Sequence, residues 1–106
     1  MSDRRRLLIG LVADAAAGES DRIDAAMELE GFPGRESVDA LVDVAKSVRS
    51  PILLVEVAGE SLGGMWAVFG SVDVEVFREL RAQARYELVA ALKGKAPYLL
   101  GGLDSD

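Results

Sequence analysis

The stretch PILLVEVAGESLGGMWAVF, residues 51–69, decides how this chain folds. It is the longest apolar run in 106 residues and holds the one tryptophan, Trp66. Two conformations compete for it. A hairpin would set strands at 52–58 and 65–69 around GESLGG. Glycine favours that form, since Gly59, Gly63 and Gly64 each cost roughly 1 kcal/mol inside a helix relative to alanine. A helix would open on Ser50-Pro51, with serine as N-cap and proline at the first helical position. Glu56 and Glu60, one turn apart, would then share a side continued by Gly63 and Ala67. Leu54, Val55, Ala58, Leu62, Met65, Trp66 and Phe69 would fall on the other side. The apolar residues do not alternate as a half-exposed strand requires. A lone hairpin among helices would also be marginal. The pattern therefore predicts a helix, with its glycines as points where a neighbouring backbone packs close.

Upstream, residues 3–17 carry Leu7, Leu8, Leu11 and Ala15 on one helical face, with Asp3 as cap and Gly18 as C-cap. Arg4 to Arg6 stand in the first turn, where positive charge opposes the helix dipole at a small cost. Ser20 starts a second helix, with Ile23, Ala26 and Met27 on one face and Asp21, Asp24 and Glu28 opposite. Gly31-Phe32-Pro33-Gly34 breaks it, and Phe32 is expected to fold back into the core. A third helix, about 35–49, has Val38, Leu41, Val42, Ala45 and Val48 as its apolar stripe. Glu36, Asp39 and Asp43 line its exposed side, with Lys46 set to pair with Asp43. Downstream, Gly70-Ser71-Val72-Asp73 reads as turn and cap. A long helix then runs to about Lys93, with Arg81 as the place where it would break, and Phe77, Leu80, Ala84, Leu88 and Leu92 face its core. Residues 97–100 pack back and 101–106 fray. The expected fold is all-α: one domain over residues 1–106, five antiparallel helices.

Composition narrows the function. The chain has no cysteine and no histidine, so thiolate chemistry, the commonest general base and the commonest metal ligand are missing. Catalysis would have to run on carboxylates, Lys, Tyr or Ser, and the expectation is a protein without enzymatic activity or cofactor. A net charge of −6 and a pI near 4.6 argue against nucleic-acid binding, which needs Lys and Arg on phosphates. The basic start, short apolar run and Ala15-Ala16-Ala17 suggest a signal peptide, but Asp14 ends the run and Asp3 spoils the basic region. A cytoplasmic chain that does not enter the membrane is expected, because no uncharged run reaches the roughly 20 residues of a span.

A faint repeat lies at offset 36: Val38–Val44 aligns with Val74–Leu80, Asp24 with Glu60, and Ala26 with Leu62. Val57-Ala58-Gly59-Glu60-Ser61-Leu62-Gly63 is similar to the small-residue, Leu-Gly ending of a first HEAT helix, and Val74–Leu80 to the start of a second. Over about residues 20–95 the chain thus resembles two units of the HEAT-type helical repeat family. It departs from that pattern at the extra Gly64 and at Leu29-Glu30-Gly31, where Leu-Gly would stand. The resemblance implies a right-handed stack of antiparallel helices, a role in binding proteins, and no catalytic residues.

Charge supplies the candidate site. From Asp14 to Glu60 there are eleven acids against Arg22, Arg35, Lys46 and Arg49, whereas from Ser61 onward six acids face five bases. Asp21, Asp24, Glu28, Glu36, Asp39 and Asp43, with Glu56 and Glu60, form the expected partner-binding set, a negative field that steers a basic protein. The expected function is a small inhibitor of the immunity or antitoxin type, acting on a basic effector such as a toxin nuclease. Two alternatives stand beside it. Glu56 and Glu60 could hold a divalent cation or act as an acid/base pair, or else be an exposed edge or pair with arginines of the last long helix. The chain could instead self-associate through an apolar end of the helical stack, as a homo-oligomer. Arg78, Arg81 and Arg85 interleave with Glu75, Glu79 and Glu87, which predicts pairing within the helix rather than a phosphate site.

Overall fold

A computed structural model describes residues 3–103, and every regular element among them is helical. There are seven α-helices: α1 (Asp3–Ala13), α2 (Glu19–Leu29), α3 (Arg35–Lys46), α4 (Ile52–Phe69), α5 (Val74–Glu79), α6 (Ala82–Lys95) and α7 (Leu100–Leu103). A 3-10 turn at Pro97–Leu99 precedes the last. The helical class stands, but the expected count of five does not. The long C-terminal helix breaks at Leu80, whose backbone is extended (φ −72°, ψ 150°), and α7 adds a further turn.

The deciding stretch is one helix. α4 begins at Ile52 with Pro51 at the N-cap, so Ser50 does not cap it as its sequence suggested. It ends at Gly70, whose φ of 73° is left-handed and whose N–H donates to the Trp66 carbonyl at 2.9 Å. Asp73 then caps α5 by accepting from the Val76 N–H at 3.1 Å. At 18 residues and a mean hydropathy of 1.5, α4 is long and apolar enough to cross a membrane. Yet 61% of it is buried inside the fold, where it packs against α2, α3 and α6.

Side-chain pairings set the directions of the helices. Arg4 of α1 reaches Glu28 near the end of α2, so these two run antiparallel. Arg5 reaches Glu36 at the start of α3, so α1 and α3 run parallel. The Ser61 hydroxyl donates to the Ala26 carbonyl at 2.8 Å and Gly64, further along α4, abuts Glu30 just past α2, so α4 is parallel to α2. Gly59 abuts Ala84 and Gly63 abuts Leu88, so α6 is parallel to α4. α1 and α3 thus lie in one layer and α2 and α4 in the other, with α6 packed along α4, and Leu29, Leu41, Leu54, Leu62, Leu88 and Leu92 belong to one continuous core.

The glycines of α4 have the expected role. A β-carbon on Gly59 would lie 2.7 Å from the Ala84 Cα, and one on Gly63 would lie 2.8 Å from the Leu88 carbonyl oxygen. α4 and α6 meet along this small-residue edge. Of the expected α4 core, Phe69 is half-exposed and the rest are buried. Phe32 packs against the core as expected. Val48 does not: α3 stops at Lys46, two residues short of it, and Val48 is 85% exposed.

Candidate functional site

The acidic set divides into neutralised and free groups. Arg4 donates from Nε and Nη2 to the two oxygens of Glu28, at 2.5 and 2.6 Å. Arg5 meets Glu36 at 2.7 Å. The first-turn arginines, unfavourable for their own helix dipole, thus hold α1 to both of its neighbours. Glu30 pairs with Lys95, and Lys46 turns away from Asp43 to Glu79. Asp21, Asp24, Asp39 and Asp43 are exposed and have no cationic partner among the described residues. Six of the eight predicted site residues lie on α2 and α3, but Glu28 and Glu36 are occupied.

The Arg4 hydrogen bonds hold the Glu28 carboxyl below the usual carboxylate range. A depressed folded pKa contributes stability above the unfolded pKa and loses it as pH falls through the folded value. Glu28→Gln is expected to lower Tm at neutral pH, with the difference from wild type vanishing as the pH drops below that range. A gap that persists unchanged in acid would show that the pair contributes nothing through charge.

Glu60 is exposed and Glu56 half-buried on α4, and neither meets an arginine of α5 or α6. No group of three or more carboxylates among the described residues is placed to hold a metal ion.

The arginines of α5 and α6 behave differently from their sequence pattern. Arg78 pairs with Glu75 as expected, at 3.8 Å. Arg81 instead binds the end of α3: its N–H donates to the Ala45 carbonyl, and its Nη1 to the Ser47 and Ser50 carbonyls, each at 3.1 Å. Arg85 donates to the Leu80 carbonyl and so closes the break between α5 and α6. These guanidiniums satisfy backbone oxygens that the loops leave without helical partners.

Sequence reasoning passed over Arg22. It is only 8% exposed, and its Nε and Nη2 donate to the Val12 carbonyl at 3.1 and 2.8 Å, capping α1. It lines a groove of about 300 Å³ with Ala13, Ala40, Asp43, Val44 and Arg49. Nothing in the local pattern distinguishes this arginine from an exposed one, because its burial depends on where α1 ends. A larger groove, about 560 Å³, runs between the start of α3 and the α4–α5 turn. Trp66 forms its floor at 3% exposure, with Arg35, Val38, Phe69 and Val72 as walls, so the tryptophan belongs to the core.

Neither a family model, nor a curated protein, nor a solved structure matches the chain.

Proposed function

We propose that this chain is a non-enzymatic protein-binding domain, an acidic inhibitor of the immunity or antitoxin type that occludes a basic effector such as a toxin nuclease. The observation that carries it is the set of four exposed aspartates, Asp21, Asp24, Asp39 and Asp43, left without cations among the described residues. On the same helices Glu28 and Glu36 are neutralised by arginines of α1, while Glu60 of α4 is exposed and unpaired like the four aspartates. Unpaired surface acids of one sign raise the encounter rate with a positive partner. The alternation of helices between two layers supports a short HEAT-like stack. Its units would be α1–α2 and α3–α4 rather than units starting at α2, and the offset-36 repeat then relates α2 to α4 and α3 to α5.

The test is charge reversal. Asp39→Lys with Asp43→Lys is expected to slow association with a basic protein captured by this chain from its source cell by roughly tenfold or more at low salt. The difference should shrink as salt rises. Stopped-flow rates identical to wild type at both salt concentrations would remove the acidic face from the account.

One observation favours a second reading, self-association. α6 packs along α4, and its outer side presents Tyr86, 74% exposed, beside Phe77, Val89 and Ala90. Light scattering decides it: a monomer mass at high concentration excludes this reading.

A further inference from the structure

We propose that the groove bounded by Arg22, Asp43 and Arg49 binds a free α-amino acid by its charged head group. Three features point there. The first is Arg22, a buried cation with no carboxylate within ion-pair distance among the described residues. Two of its N–H groups cap α1, and its Nη1 amino group has no protein partner among the described residues and keeps access to solvent. A largely buried guanidinium without a carboxylate partner is stabilised by an anion that reaches its remaining N–H group. The partial negative charge of the α1 C-terminus supplies only part of that stabilisation.

The second feature is the charge pattern of the rim. Arg49 and Asp43 are exposed, line the same groove, and are ion-paired neither to each other nor to Arg22. A simple anion in this groove would face Asp43. A simple cation would face two guanidiniums. A zwitterion matches all three: its carboxylate takes the guanidinium forks and its ammonium takes the Asp43 carboxylate. The third feature is size and lining. About 300 Å³, walled by Ala13, Ala15, Ala40 and Val44 together with Ser47 and Ser50, suits a small side chain and excludes a folded partner.

This site stands apart from the proposed protein partner, although Asp43 belongs to both, so the test is made on the isolated chain. Calorimetry and amide NMR with each proteinogenic L-amino acid at millimolar concentration would find the ligand, with L-valine as the first probe. At least one amino acid is expected to bind and to shift the amides of residues 22, 43 and 49. Isobutyrate and isobutylamine, each keeping one half of the head group, are expected to bind roughly tenfold more weakly or not at all. Asp43→Asn and Arg49→Ala, both at exposed positions, are expected to weaken binding roughly tenfold with Tm unchanged. Three results would each overturn the proposal: no amino acid binding, isobutyrate binding as tightly as L-valine, or wild-type affinity in both variants.

Discussion

Gly59→Ala is expected to destabilise the protein, although alanine is the better helix former. In open helix the exchange would gain roughly 1 kcal/mol. Here the new methyl group would stand 2.7 Å from the Ala84 Cα and 2.8 Å from its carbonyl carbon. Those atoms are backbone and cannot swing aside, so α4 and α6 must separate. Overpacking of this kind costs about 1–3 kcal/mol, and a rigid backbone neighbour places it at the upper end, enough to outweigh the propensity gain. In a domain of this size each kcal/mol lowers Tm by roughly 4–8 °C. Gly10→Ala is the control: Gly10 is exposed on α1, with no atom within 4 Å of an added β-carbon, and should stabilise. Gly64→Ala should fall between them, because its obstacle is the Glu30 side chain, which can move at the expense of its pair with Lys95. Equal shifts at positions 10 and 59 would mean that the α4–α6 contact is looser than described.

Leu62→Ala is expected to destabilise the protein strongly. Leu62 has no exposed surface and belongs to the continuous core. Removing its branched end leaves a cavity, and buried Leu→Ala changes cost about 2–5 kcal/mol. Against a total stability of about 5–15 kcal/mol, that is a large share. Val68→Ala on the same helix, at a site 71% exposed, should change stability by less than about 0.5 kcal/mol. Trp66 reports on both variants, since it is the only tryptophan and sits at 3% exposure. Its emission should move to longer wavelength on unfolding, at markedly lower denaturant in Leu62→Ala. A midpoint shared by the two variants would contradict the placement of α4 at the centre.

Much of this architecture was legible from residue pattern. Leu54, Val55, Ala58, Leu62, Met65 and Trp66 are buried as their 3.6-residue spacing required. The turn at Gly70 and the cap at Asp73 were likewise readable, because each depends on local backbone geometry. Ends set by distant partners were not. Residues 47–49 read as helix, yet α3 stops at Lys46, and Arg81 occupies the carbonyls of Ser47 and Ser50. The pattern puts a break at Arg81, one residue past the extended Leu80, but it pairs Arg85 with a carboxylate, whereas that guanidinium donates to the Leu80 carbonyl.

The acidic site was half legible. Its exposed carboxylates follow from helical phase, which places Asp21, Asp24, Asp39 and Asp43 away from the apolar stripes. Which acids stay free does not follow, because Arg4 and Arg5 reach Glu28 and Glu36 across 24 and 31 residues.

By itself the sequence determined that the chain is helical, that Pro51–Phe69 is its central apolar helix, and that its first half is acidic. Each of these rests on interactions within a few residues, or on charge alone. Only the tertiary structure decided the layering, the close α4–α6 contact at Gly59 and Gly63, the burial of Arg22 and the four unpaired aspartates. Those depend on which helices meet, and the long cationic side chains of α1, α2, α3 and α6 and of Arg81 span gaps that no local pattern records.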